Sequence, residues 1–143
     1  MIRIIGIVGS PRVDGNTEKL VIEALKVAAE EGAQTELIRL ADKEIRPCDA
    51  CMSFRKAGEC HIKDDFQEIF EKMVKADGII LASPVYFGSA TPQIMALIDR
   101  AGMFLEQKGG SLRTRLVVHW LLLGEQGKTS LLRNFYSSFY IKE

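Results

Sequence analysis

Short apolar runs alternate along this chain with segments of helical periodicity, and this alternation limits the folds open to it. The runs lie at about Arg3 to Val8, Thr35 to Leu40, Gly78 to Ala82 and Leu116 to Leu123. Strands that are apolar on both sides need cover on both faces, which a parallel sheet between two layers of helices provides. The pattern therefore predicts an α/β fold, a doubly wound parallel sheet in three αβα layers.

Helices are predicted after each of these strands. The first covers about Thr17 to Glu31 and ends at Gly32. Its apolar stripe predicts the buried residues Leu20, Val21, Ala24, Leu25 and Ala28. Asp64 and Gln67 predict a capping box for a helix that runs to Lys75. Thr91 and Pro92 predict the start of another helix, to about Ala101, and a last helix is expected at Thr129 to Tyr140.

Composition excludes several classes of function. With 143 residues, of which 47% are hydrophobic, residues 1–143 are predicted to form one domain. The 19 basic and 19 acidic residues balance, and no basic stripe with interleaved aromatic residues argues for nucleic acid. Neither a secretory signal nor an apolar run of membrane-spanning length is apparent, so we expect a cytoplasmic protein with reduced thiols.

The stretch from Gly9 to Thr17 joins the first strand to the first helix and reads Gly-Ser-Pro-Arg-Val-Asp-Gly-Asn-Thr. Such a junction directs backbone N–H groups and the positive end of a helix dipole at one spot, which suits a phosphate. The guanidinium of Arg12 has the geometry to bind two phosphate oxygens at once. Further hydrogen-bonding side chains come from Ser10, Asn16 and Thr17.

The pattern of this loop differs from the two common nucleotide-binding loops. A Walker motif needs a lysine before Ser or Thr, and a Rossmann fingerprint needs three glycines at fixed offsets. A monophosphate is therefore favoured over a triphosphate. The alternative is an ordinary strand-to-helix turn in which Asn16 or Thr17 caps the helix.

A second loop, Ser83 to Ser89, follows the third predicted strand. Ligands of doubly wound sheets bind beyond the carboxyl ends of the strands, so this loop is expected beside the first. Tyr86 and Phe87 offer aromatic faces, and Val85 and Gly88 could line the edge of a planar heterocycle. The alternative is that both rings pack into the core. Together the two loops favour flavin mononucleotide (FMN), with its phosphate on the first loop and its ring on the second.

With these residues the chain resembles the flavodoxin-like NADPH-dependent FMN reductase family, and within it the iron–sulfur flavoproteins. The resemblance covers roughly the first hundred residues, in order and with similar spacing. The matching segments are Gly9 to Arg12, Gly15 to Thr17, Pro47 to Cys51 with Cys60, Asp64 and Asp65, Ala76 to Ile80, and Ser83 to Gly88.

This resemblance implies an oxidoreductase in which NAD(P)H reduces FMN and the flavin passes electrons to another flavin, a quinone-like compound or a protein. It implies that the FMN phosphate is bound by Ser10, Arg12, Asn16 and Thr17, and that the isoalloxazine is contacted by Pro84, Val85, Tyr86, Phe87 and Gly88. The reaction belongs to the cofactor, so no catalytic side chain is expected. The alternatives are a flavin-binding electron-transfer protein without nicotinamide activity and a truncated, non-catalytic relative.

The chain has three cysteines, Cys48, Cys51 and Cys60. The iron–sulfur flavoproteins that it resembles bind a cubane cluster through four closely spaced thiolates. Where their pattern places another cysteine, this chain has Phe54, so we expect no complete iron–sulfur cluster. A zinc site that adds His61 to the cysteines, a redox dithiol of Cys48 and Cys51, and a loop of free thiols remain open.

The resemblance also implies a fifth strand and a closing helix, for which this chain of 143 residues has no matching segment. The apolar run Leu116 to Leu123 would then keep an unpaired edge and an uncovered face, which partner contacts could relieve. The related proteins are similarly dimeric. We therefore expect a homodimer or a larger homo-oligomer.

Size-exclusion chromatography with light scattering tests this expectation. The purified protein at micromolar concentration should elute with at least twice the mass of one chain, because the exposed strand edge and apolar face favour association. A monomer under these conditions would contradict it.

Overall fold

A computed structural model describes residues 1–53, 58–107 and 118–123. Four strands form one sheet: β1 (Arg3–Val8), β2 (Gln34–Arg39), β3 (Gly78–Pro84) and β4 (Val118–Leu123). They pair in the order β2-β1-β3-β4, and every pair is parallel. The helices are α1 (Asn16–Glu30), α2 (Phe66–Lys75) and α3 (Pro92–Gln107), with a short 3₁₀ turn at Leu40–Asp42. The predicted parallel α/β sheet is confirmed; the predicted helix at Thr129 to Tyr140 lies outside the described residues.

The sheet is covered by helices on both faces, as its apolar strands require. On one face Val21 and Leu25 of α1 pack against Val8 and Ala82. Gly6 of β1 lets α1 approach closely, because a Cβ atom there would collide with Val21. On the other face α2 and α3 bury the larger cluster, which includes Ile5, Ile7, Phe66, Ile69, Phe70, Ile79, Leu81, Ile94 and Leu97.

The prediction for α1 was partly wrong. Val21 and Leu25 are buried and Ala28 is half-buried, but Leu20 and Ala24 are exposed. The helix is turned so that Thr17, Glu18, Val21 and Leu25 face inward. The carboxylate of Glu18 is held inside by Arg39, which accounts for this rotation.

The predicted end of α1 is confirmed. Gly32 has a φ of +86°. Its N–H donates to the carbonyl of Ala29 at 3.0 Å, and the N–H of Ala33 donates to Ala28 at 3.0 Å. This is the Schellman arrangement, in which glycine adopts the left-handed conformation after the last turn.

The capping box predicted for α2 was wrong. The helix begins at Phe66, and its N-cap residue, Asp65, makes no side-chain capping hydrogen bond. Gln67 instead donates to Glu71 along the helix at 3.1 Å. The carboxylate of Asp64 accepts the N–H of Phe66 at 3.1 Å and pairs with Arg100, so its environment is set by a residue of α3.

The start of α3 was predicted correctly, while its end was not. Pro92 occupies the first helical position, and the carbonyl of Thr91 accepts the N–H of Met95 at 3.1 Å. The helix continues past Ala101 to Gln107.

Among the described residues, no helix combines the length and the apolar character needed to span a bilayer.

Arg100 of α3 fixes residues 46, 60, 62 and 64, which precede α2, to the body of the protein. Its side chain is 2% exposed and its guanidinium lies 4.1 Å from the centre of the Phe66 ring. It pairs with Asp64 at 2.6 Å. Its remaining hydrogen bonds go to the carbonyls of Arg46 (3.2 Å) and Ile62 (3.4 Å) and to Cys60 Sγ (3.4 Å).

Burial alone would raise the pKa of Asp64. Hydrogen bonds from Arg100 and from the N–H groups of Arg46 and Phe66 outweigh burial, so the pKa of Asp64 lies below its ordinary value. A carboxyl group with a lowered pKa stabilises the fold above its unfolded-state pKa and loses this contribution as pH falls through the folded-state value.

The variant Asp64→Asn should lose about 3 kcal/mol of unfolding free energy at neutral pH, because the Arg100 charge is left buried without its partner. The difference between wild type and variant should shrink below about pH 4, where the unfolded carboxyl is protonated. Urea unfolding at several pH values measures both effects. Asp99→Asn, at an exposed position of α3, is the matched control; equal stability of the two variants would contradict the prediction.

Candidate functional site

The carboxyl ends of β1 and β3 lie side by side in the sheet. β1 has β2 on one side and β3 on the other, so the chain changes its direction of winding here. In open α/β sheets such a switch point forms a crevice that binds ligands. The N–H of Gly9 donates to the carbonyl of Ala82 at 2.7 Å, which joins the chain after β1 to β3.

Buried hydroxyl groups connect the loops that follow these two strands. Ser83 and Thr91 are both 0% exposed. Ser83 Oγ accepts the N–H of Thr91 at 2.9 Å and donates to the carbonyl of Pro84 at 2.9 Å. The hydroxyl of Thr91 donates to the carbonyl of Gly9 at 2.7 Å. The two predicted ligand loops are therefore held as one unit.

The loop from Gly9 to Asn16, which we call the phosphate loop, leads directly into the first turn of α1. Gly15 is the N-cap of α1, and no side chain caps the helix. The alternative interpretation, in which Asn16 or Thr17 is the cap, is therefore wrong. The N–H groups of the first turn keep their capacity to bind an anion.

The side chains expected to bind phosphate differ in exposure. Ser10 and Thr17 are buried at the base of the loop, whereas Arg12 and Asn16 are exposed. Ser10 Oγ accepts the N–H of Arg12 at 3.1 Å, which shapes the turn. Within the described part of the chain, the guanidinium of Arg12 has no ion pair or hydrogen bond. A cation at a helix N-terminus without a carboxylate partner is suited to a phosphate ligand.

Sequence reasoning missed Glu18, which supports the phosphate loop from behind. Its side chain is 1% exposed and pairs with Arg39 at the end of β2. It also accepts the N–H of Asp14 at 2.9 Å, where the backbone has a φ of +58°. Glu18 thus holds a left-handed residue in place, and Arg39 offsets a negative charge beneath the anion site. An acidic residue in the first turn is common in helices, so the sequence alone gave no signal for this role.

The second loop forms a tight hairpin at Tyr86–Ser89, which we call the aromatic hairpin. Tyr86 and Ser89 exchange backbone hydrogen bonds of 2.8 and 3.0 Å. The central residues Phe87 and Gly88 have φ values of +49° and +81°, as in a type I′ turn. Tyr86 is 42% exposed and Phe87 is fully exposed. The alternative that both rings pack into the core is therefore wrong.

These features fit the FMN that the sequence predicts. A monophosphate needs several N–H and hydroxyl donors and a free cation, all of which the phosphate loop provides. The two loops also pack closely against each other. A Cβ atom on Gly9 would lie 2.8 Å from Ile94 Cδ1 and 2.9 Å from Thr91 Oγ1, so glycine is required where the loops meet.

Residues 46–53 and 58–63, which we call the cysteine loop, contain a second cluster of reactive groups. Its three thiols are free. Asp49, Cys51 and His61 place one ligand atom each within 4.8 Å of the others. The zinc set of Cys48, Cys51, Cys60 and His61, which the sequence left open as an alternative, does not come together in this way among the described residues. Cys60 Sγ instead lies 3.4 Å from a nitrogen of Arg100.

The family model for NADPH-dependent FMN reductases matches residues 2–135. The chain therefore belongs to this family, and the resemblance found in the sequence is confirmed. An iron–sulfur flavoprotein of Methanocaldococcus jannaschii is 56% identical over 99 residues, which are 69% of this chain and 51% of that protein. A second iron–sulfur flavoprotein of the same organism is 34% identical over 146 residues, covering 99% of this chain and 72% of that protein.

Among solved structures, one titled flavone reductase superposes with a TM-score of 0.65 at 26% identity, over 88% of this chain and 44% of that one. This confirms the flavodoxin-like fold. The chain spans about half the length of most of the curated relatives it matches.

Proposed function

We propose that this protein is an FMN-binding oxidoreductase, which passes electrons from NAD(P)H through FMN to a flavin, a quinone-like compound or a protein. One observation carries the proposal. The buried hydroxyls of Ser83 and Thr91 hold the phosphate loop and the aromatic hairpin together at the switch point of the sheet. The family match supports the same cofactor.

The phosphate end of FMN would be held by backbone and side-chain donors together. The uncapped N–H groups of α1 and the helix dipole favour the dianion, and Arg12 supplies a charge-assisted pair. Ser10, Asn16 and Thr17 complete the proposed set. Arg39 and Glu18 form an ion pair, so the carboxylate beneath the loop does not oppose the phosphate.

The isoalloxazine end would lie along the segment that ends β3. Pro84, Val85 and Gly88 present backbone and small apolar groups, and Tyr86 and Phe87 present aromatic faces. When bound, FMN would supply the electron-transfer chemistry, so the protein's part is to bind and orient it and to limit water at one edge. The exposed rings of the hairpin are placed to cover a planar ligand or the electron acceptor.

The source of the electrons that reduce FMN distinguishes two versions of the proposal. The curated relatives are named iron–sulfur flavoproteins, and this observation favours, as a second candidate, an electron carrier that accepts electrons from a protein.

The deciding experiment reconstitutes the protein with FMN, removes the excess, and follows the flavin absorption anaerobically with NADPH, NADH or dithionite. Rapid bleaching by a nicotinamide supports the reductase. Bleaching by dithionite alone supports the carrier, and a protein that retains no flavin contradicts both.

Arg12→Ala should weaken FMN binding about ten- to hundredfold, equivalent to about 1.5–3 kcal/mol, because a charge-assisted hydrogen bond to phosphate is lost. Titration of FMN followed by flavin fluorescence gives the dissociation constant. Arg3→Ala is the matched control, since Arg3 lies at the amino end of β1, away from the phosphate loop.

Riboflavin, which lacks the phosphate, tests whether Arg12 contacts the phosphate rather than the rest of the flavin. Arg12→Ala should change the affinity for riboflavin little, because the contact removed is to the phosphate. An unchanged dissociation constant for FMN, or an equal loss with both flavins, would exclude Arg12 from the phosphate site.

A further inference from the structure

Three different metal-ligating groups meet at the surface of the cysteine loop. Asp49 Oδ2 lies 2.6 Å from Nε2 of His61, and Asp49 Oδ1 accepts the N–H of Cys51 at 3.2 Å. The carboxylate, the thiol and the imidazole offer ligand atoms within 4.8 Å of one another. All three residues are exposed, so an ion could reach them from solvent.

The backbone around Cys51 is held in an uncommon conformation. Ala50 and Met52, on either side of it, both have a φ of +56°. The left-handed conformation is unfavourable for residues other than glycine, because Cβ then lies too close to the following carbonyl oxygen. Such strain is retained where surrounding contacts fix it, often at ligand sites.

The hydroxyl of Ser53 fixes the two sides of the cluster relative to each other. It accepts the Sγ–H of Cys51 at 3.3 Å and the N–H of His61 at 3.2 Å. It also donates to the carbonyl of Glu59 at 3.4 Å. One half-buried hydroxyl thus positions two groups, Cys51 and His61, that are ten residues apart in sequence.

The chemistry of these groups selects the class of ion. Thiolate, imidazole and carboxylate are the ligand types of zinc, with bonds of about 2.0–2.3 Å that place neighbouring ligand atoms about 3.3–3.7 Å apart in a tetrahedron. A soft thiolate disfavours Mg²⁺ and Ca²⁺, which bind oxygen. Cys60 is a poor fourth ligand, because the guanidinium of Arg100 lies 3.4 Å from its sulfur and would repel a cation.

We propose that Asp49, Cys51 and His61 bind a single Zn²⁺ ion, with water or an added ligand in the fourth position. Binding displaces the thiol proton of Cys51 and any proton shared by Asp49 and His61 to solvent. This site differs from a four-thiolate cluster in its ligands and in the number of metal ions. The ion would tie the two sides of the cysteine loop together across twelve residues and leave an exchangeable position facing solvent. The proposal does not depend on FMN binding.

Cobalt titration of the chelator-treated protein tests the ligand set. Co²⁺ is a spectroscopic probe for zinc sites, and one equivalent should produce a thiolate-to-cobalt band in the near ultraviolet and the visible bands of a four-coordinate ion. Added Zn²⁺ should displace Co²⁺ and abolish the thiolate-to-cobalt band and the visible bands. Absence of the thiolate band, or binding of more than one ion with equal affinity, would overturn the proposal.

Single variants separate this site from one made of thiols. Cys51→Ser, His61→Ala and Asp49→Ala should each weaken Co²⁺ binding by at least about tenfold, the usual scale for loss of a metal-site contact. Cys48→Ser and Cys60→Ser are the matched controls and should bind as the wild type does. Loss in the two controls, with His61→Ala unchanged, would show a thiolate-only set and overturn the proposal.

A wild-type experiment avoids any effect of the variants on folding. Cys48 and Cys51 are both exposed, so both should react with an alkylating reagent in the metal-free protein. Zn²⁺ should slow the alkylation of Cys51, read by peptide mass spectrometry, and leave that of Cys48 unchanged. Equal protection of the two cysteines, or protection of neither, would contradict the proposed ligands.

Discussion

The proposed flavin site depends on a short chain of buried hydrogen bonds from Ser83 through Thr91 to Gly9. Ser83 and Thr91 are removed from water, so each polar atom left without a partner there would cost about 1–3 kcal/mol. The carbonyl of Gly9 has the same requirement, because Ile94 and Thr91 pack directly against that residue. This coupling gives the phosphate loop and the aromatic hairpin a fixed relation, although Gly9 and Thr91, which it joins, are 82 residues apart in sequence.

Helix α3 carries this interaction and a second one. Thr91 precedes its first turn, and Arg100 lies nine residues further along, about 13 Å away along the helix axis. Thr91 holds the proposed flavin loops, and Arg100 holds the cysteine loop through Asp64 and Cys60. A rigid helix therefore sets the distance between the two clusters of functional groups. The buried charge of Arg100 is tolerated because a carboxylate, two carbonyls and an aromatic ring surround it.

The sequence predicted the features that depend on local pattern. The strands were placed within a few residues, Gly32 was identified as the end of α1, and the two ligand loops were expected at one edge of the sheet. It failed where a residue's position depends on a distant partner. Glu18 is buried against Arg39, and Asp64 is buried against Arg100. The hydrophobic periodicity of a sequence carries no information about such long-range ion pairs. The rings of Tyr86 and Phe87 were expected to face a ligand, and both are exposed rather than packed into the core.

Among the described residues, the strained left-handed backbone conformations lie in the loops and not in the helices or strands. Within the described residues, the positions with positive φ that are not glycine are Asp14, Ala50, Met52 and Phe87. None lies in a helix or strand; they fall in the phosphate loop, the cysteine loop and the aromatic hairpin. Each has nearby support: Glu18 binds the N–H of Asp14, Tyr86 and Ser89 close the turn around Phe87, and Asp49 and Ser53 hold the chain around Cys51. A chain of this size retains unfavourable conformations only where other contacts fix them. These strained residues lie in the three loops that carry the proposed binding groups. We infer that the rigid sheet holds these loops in conformations formed before a ligand binds.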